Sequence, residues 1–149
     1  MGILVIGYGN PGRLDDGLGP AFARCVQELA LPGVSVDADY QLAVEDAAEI
    51  AAHDAVLFAD ASVSGEEPFA LLPVKAERSS GVGFSSHSLS AETVLGLADA
   101  LFGARPRAFQ LAIRGYVFDG FGEGLSSRAA SNLDAALAHA EPLLRAGLR

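Results

Sequence analysis

Two aspartates and one histidine, far apart along the chain, are the residues whose types could do chemistry together: Asp16, Asp60 and His87. Each has an ordinary explanation alone. Asp16 follows Asp15 at the start of a helical pattern, where carboxylates favour the first turn. Asp60 closes an apolar run and could cap a turn with Ala61 and Ser62. His87 lies between two serines in a Gly/Ser-rich stretch. A carboxylate at the end of a central strand is costly unless paired, hydrogen-bonded or metal-bound. One aspartate suffices as a cap, so Asp15 is assigned that role and Asp16 is free to face a crevice. Two carboxylates and an imidazole reaching one edge would form a three-ligand site with open positions, suited to Zn²⁺ or Ni²⁺.

Other chemistries find less support. Gly7, Gly9 and Gly12 match the G-x-G-x-x-G pattern of a dinucleotide loop after a strand. Yet Asp15-Asp16 would set two negative charges where a pyrophosphate should dock, and Pro11 removes an amide from the cradle. The nucleophile elbow, H-E-x-x-H, C-x-x-C and the P-loop pattern are absent. Cys25 falls mid-helix, where a small buried hydrophobe is expected. His53, in a turn on the amino-end side of the sheet, and His139, on a polar helix face, read as solvated.

The elements that must position the three residues alternate between strand and helix. Ile3–Ile6, Val34–Asp39 and Ala55–Ala59 read as strands, the first and third as continuous apolar runs of the buried kind. Helices are expected from Asp16 to the Pro32-Gly33 stop, over Val44–Ala52, from Leu89 through Leu101, and from Leu125 onward. Phe69–Val74 follows the third strand after a short polar loop, which favours an antiparallel edge hairpin; Phe109–Ile113 is a fifth strand. The pattern predicts one α/β domain over 1–149, a three-layer α/β/α sandwich around a five-stranded, mostly parallel sheet with one antiparallel edge strand. Ligands bind such sheets beyond the carboxyl ends of the strands, which singles out loops 7–17, 39–43, 60–67 and 114–126, with 79–88 folding over the same edge.

Half of the 149 residues are hydrophobic, enough for a sizeable core. The net charge of −9 is concentrated in residues 1–70, where twelve acids face only Arg13 and Arg24. That balance argues against nucleic acid and suits a cation or a basic partner. A single cysteine excludes a disulfide framework and fits a reducing cytoplasm. No apolar stretch reaches the roughly 20 residues of a membrane span, and the opening Met1-Gly2-Ile3-Leu4-Val5 reads as a strand instead of a signal peptide.

Gly7-Tyr8-Gly9-Asn10 followed by Asp15-Asp16-Gly17-Leu18-Gly19 resembles the opening signature of the hydrogenase maturation proteases. Phe58-Ala59-Asp60-Ala61 resembles that family's second metal-ligand segment, and Ser86-His87-Ser88-Leu89 its histidine segment. Gly115 through Ser126 resembles its late Gly-rich loop. The chain departs from the family at Asp39-Tyr40-Gln41-Leu42, where many members carry a Gly-Thr pair. The resemblance implies a monomeric cytoplasmic endopeptidase that removes the C-terminal extension of a nickel-loaded precursor of the nickel–iron hydrogenase large subunit. It implies Asp16, Asp60 and His87 as metal ligands and catalytic residues. Ni²⁺ would be carried by the precursor, with Zn²⁺ or Cd²⁺ able to occupy the site in vitro, and Asp39 would be a supporting or substrate contact. A hydrolase without a protein nucleophile must use water, which a metal activates. The alternative is a non-enzymatic nickel metallochaperone using the same ligands.

Overall fold

Strand β1 (Ile3–Tyr8) is an apolar run buried almost throughout, as a strand covered on both faces must be. In the computed structural model, which describes residues 2–77 and 89–149, it lies inside a five-stranded sheet. The sheet is completed by β2 (Val34–Asp39), β3 (Ala55–Ser62), β4 (Phe69–Pro73) and β5 (Arg107–Arg114), in the order β2-β1-β3-β5-β4. β2, β1, β3 and β5 are parallel, and β4 runs antiparallel at the edge. The sheet therefore matches the expected mostly parallel architecture with one reversed edge strand.

The partner of that edge strand differs from expectation. β4 does not form a hairpin with β3; it pairs with β5, Phe69 opposite Ile113 and Pro73 opposite Phe109. β5 occupies the slot beside β3 along its whole length, from Ala55↔Arg107 to Ser62↔Arg114. Burial explains the choice. β5 places Ala108, Leu111 and Ile113 in the core, whereas β4 carries an exposed Leu72 and ends in Pro73, which suit an edge.

Helices α1 (Leu18–Leu29) and α4 (Ser127–Arg145) cover one face, and α2 (Asp46–Ala51) and α3 (Ala91–Phe102) the other. Strand residues alternate between the two cores: Ile3, Val5, Leu57 and Ala59 pack under α1 and α4, and Leu4, Ile6, Val56 and Phe58 under α2 and α3. Tyr8 and Asp60 continue the second series beyond the apolar zone, so both side chains leave the sheet on the α3 side. α3 begins at an N-cap, Ser90, whose hydroxyl accepts from the Thr93 amide at 3.1 Å, and ends at Gly103 in the left-handed region. The helix expected from Asp16 instead begins as a 3-10 turn, Leu14–Gly17, that runs into α1. No helix among the described residues is long and apolar enough to cross a membrane.

Candidate functional site

The loop after β1 is shaped by close backbone approach. A Cβ on Gly19 would lie 2.3 Å from the Tyr8 carbonyl oxygen and 2.6 Å from that of Ala59. A Cβ on Gly7 would meet the Gly19 carbonyl at 2.1 Å. Only glycines allow α1 to start this close to the carboxyl ends of β1 and β3, and that start carries Asp16 to the edge. The loop's amides are spent internally: Gly9 donates to the Asp39 carbonyl, Asn10 to Asp16 Oδ2, Gly12 to Asn10 Oδ1 and Arg13 to the Asn10 carbonyl. A phosphate cradle needs those amides free and converging. The glycine pattern here serves packing.

Asp15 is fully buried, and it does not cap its own helix. Its carboxylate accepts four hydrogen bonds: from the amides of Tyr116, Val117 and Ser126 at 2.8, 2.9 and 2.7 Å, and from the Ser126 hydroxyl at 2.7 Å. Ser126 is the N-cap of α4, so Asp15 fastens the late Gly-rich loop and the start of α4 to the turn that bears Asp16. The absent Cβ of Gly115 makes room, since one placed there would lie 2.9 Å from Asp15 Cβ. Burial alone would raise the Asp15 pKa, but the four donors outweigh it and hold the group below its usual range. The expected helix cap is thus a hub between two loops. Further bonds, Leu14 amide to Gly122 carbonyl and Gly122 amide to Gly12 carbonyl, seal the same junction.

Asp16 and Asp60 line one cavity of roughly 260 Å³ at the carboxyl edge of the sheet, with Tyr8, Gly9, Tyr40, Gln41, Leu42, Ala61 and Leu89. Asp16 is held through Oδ2 by the Asn10 amide at 2.8 Å. Asp60 Oδ1 accepts from Gln110 Nε2 at 2.8 Å, and the same nitrogen reaches the Tyr8 hydroxyl at 3.1 Å. Desolvation pushes the Asp60 pKa up to about 6; Gln110 and Tyr8 pull it back, and the charges of Asp16 and Glu92 raise it further. Burial, with the Asp60 charge second, drives the Tyr8 hydroxyl well above its normal range, which keeps it a neutral hydrogen-bonding group.

The structure thus brings together two of the three residues singled out from the sequence; His87 lies outside the described residues. Asp39 is not at the cavity. Its side chain accepts from the Tyr40 amide at 2.8 Å, and it lines a neighbouring groove. Two members of the site went unnoticed in the sequence, Tyr8 and Gln110. Gln110 is the amide-bearing residue within the strand Ala108-Phe109-Gln110-Leu111-Ala112-Ile113, and such a group in an apolar run needs a partner. His53 Nδ1 bonds the Glu49 carbonyl at 2.7 Å, and His139 is exposed beside the Phe69 ring, both apart from the cavity.

No protein-family model matches the chain, nor does any curated protein. Solved structures do. A [NiFe] hydrogenase maturation protease, HycI, from Thermococcus kodakarensis superposes with a TM-score of 0.72 at 22% identity, over 97% of this chain and 92% of that one. The chain has the fold of the hydrogenase maturation proteases. The hydrogenase maturating endopeptidase HybD from E. coli gives a TM-score of 0.69 at 21% identity, covering 98% and 93% of the two chains. An uncharacterized protein from Wolinella succinogenes is similar at 27% identity, with a TM-score of 0.65 and 95% of each chain covered. Against the maturation protease fold, the expected α/β/α sandwich is correct through nearly the whole length of both chains.

Proposed function

We propose that this chain is an endopeptidase that trims the C-terminal extension from a nickel-loaded precursor of a nickel–iron hydrogenase large subunit. The observation that carries the reading is the pairing of Asp16 and Asp60 in one cavity at the carboxyl edge of a maturation protease fold. Two carboxylates that face the same small space, one of them with a raised pKa, form a donor set whose mutual repulsion a divalent cation would relieve. Leu89 lines the cavity and follows His87 by two residues in sequence, which supports the imidazole as third ligand. The donor set, two oxygens and one nitrogen, fits Ni²⁺ or Zn²⁺ with positions left open.

A cation bound there would supply Lewis-acid polarisation of the scissile carbonyl and of attacking water. The chain's own residues prepare the site for it. The Gln110 amide orients the Asp60 carboxylate, and Asp60 is mainly ionised at neutral pH, above its pKa of about 6. The Asn10 amide fixes Asp16, and the glycine packing of Gly7 and Gly19 sets how far α1 carries it over the strands. Nickel arrives with the precursor, so it acts as part of the substrate and marks a large subunit ready for trimming.

The experiment is incubation with a nickel-loaded large-subunit precursor, followed by mass measurement of the product. Asp16→Asn, Asp60→Asn and His87→Ala should each reduce trimming by at least 100-fold while circular dichroism stays unchanged, on the order of what one lost catalytic contact costs. Unimpaired trimming by these variants would remove the mechanism. Tight Ni²⁺ binding by the protein alone, with no trimming of any precursor, would favour the metallochaperone.

A further inference from the structure

β2 forms one edge of the sheet, and no strand among the described residues pairs with its outer side. The bonds from the Ile3 amide to the Gly33 carbonyl and from the Gly9 amide to the Asp39 carbonyl turn the odd-numbered peptide groups toward β1. The even-numbered ones, at Val34, Val36 and Ala38, therefore point outward. Asp37 and Asp39 tie back the amides of Ala38 and Tyr40 with their own carboxylates, and the Leu31 carbonyl takes the Val34 amide. Val36 presents its N–H and C=O with no partner among the described residues. Such an edge is a template for another strand.

Beside this edge runs a groove of roughly 420 Å³, walled by Pro20, Ala23, Arg24 and Gln27 of α1 and floored by Val36 and Ala38. Gly9 and Tyr40 line both this groove and the cavity of Asp16 and Asp60, so the two adjoin. On the opposite face of β2, Asp37 lies with Asp46 and Glu49 of α2, donor oxygens within 4.8 Å of one another. None of the ion pairs among the described residues involves these three.

We propose that the β2 edge binds an extended, basic segment of the protein substrate as a sixth strand and leads it into the Asp16–Asp60 cavity. Side chains of an added strand alternate between faces. One set would lie in the apolar groove against Val36 and Ala38; the other would lie on the side of Asp37 and the exposed Glu49, where lysine or arginine is favoured. The segment selected is therefore one that alternates apolar and basic residues. Along Val34–Tyr40 it would extend about 20 Å and end at the rim of the cavity. The proposal rests on the reading of that cavity as a cleavage site, but its binding step is separable from cleavage.

The test uses a fluorescein-labelled nonapeptide of alternating valine and lysine, its glutamate counterpart, and the whole protein, read by fluorescence anisotropy and amide exchange. The lysine peptide should bind at least 10-fold tighter than the glutamate peptide and slow exchange at Val36. Val36→Pro removes the outward donor without touching the β1 ladder and should weaken binding at least 10-fold. Asp37→Lys, which releases the Ala38 amide but keeps the ladder with β1, should reverse the preference between the peptides. Asp60→Asn should bind the lysine peptide as the parent does. No binding of the lysine peptide, equal binding by Val36→Pro and Asp37→Lys, or protection elsewhere would overturn the proposal. If a precursor is trimmed equally by Val36→Pro, this groove falls and the protease reading stands; if the peptide binds as described but no precursor is trimmed, the reverse holds.

Discussion

Asp15 and Asp60 are both carboxylates withdrawn from water, and their surroundings drive them in opposite directions. Asp60 has its pKa raised from 3.8 to about 6, so between those values it holds a proton in the folded protein that the unfolded chain has already released. Stability must therefore fall as pH rises through that window, by about 2–3 kcal/mol at neutral pH for the metal-free protein. Asp60→Asn should be more stable than the parent at pH 7 in urea unfolding, and the gap should close by pH 4. Asp15 has a lowered pKa, so its contribution is complete above the ordinary carboxylate range and is lost as pH falls below that range through the lowered pKa. Asp15→Ala deprives three amides and a hydroxyl of their acceptor at a part-buried junction and should cost about 2–4 kcal/mol in the same experiment. The two neighbours in sequence, Asp15 and Asp16, thus divide between holding the structure and facing the cavity. The residue types announced that division; the partners of Asp15, more than 100 positions away, did not.

At the scale of elements, the contact between α1 and the ends of β1 and β3 sets the position of Asp16. Gly19→Ala would drive a methyl group into two backbone carbonyls that cannot both move aside. It should destabilise the protein by about 2–4 kcal/mol in thermal unfolding, and amide exchange should quicken in residues 9–17. The strands were legible because apolar runs of four to six residues bounded by Gly, Pro or Asp leave little choice. The partner of β4 was not. A short loop favours a hairpin locally, but β5 is apolar toward both cores and takes the interior slot, leaving β4 with its exposed Leu72 at the edge. α1 starts two residues later than its apolar pattern suggests, because Leu14–Gly17 is wound as a tighter turn by its bonds to the late Gly-rich loop.

For the molecule as a whole, the alternation of strands and helices was enough to give the sandwich and the edge where ligands bind, and thus the shared neighbourhood of Asp16 and Asp60. What pattern alone did not reveal was the hydrogen-bond network that tunes them, because Tyr8 and Gln110 meet across 102 positions. Part of the acidic first half of the chain collects at β2: Asp37 clusters with Asp46 and Glu49 of α2, and Asp39 lines the groove beside the strand. The mechanism requires Asp16, Asp60 and His87 to converge on one cation, and Cd²⁺ located by anomalous scattering in crystals of the protein would reveal whether they do. A peak between the two carboxylates, with the His87 imidazole bound to it, is the expected outcome; a peak confined to Asp37, Asp46 and Glu49, or an imidazole bound elsewhere, would refute the convergence.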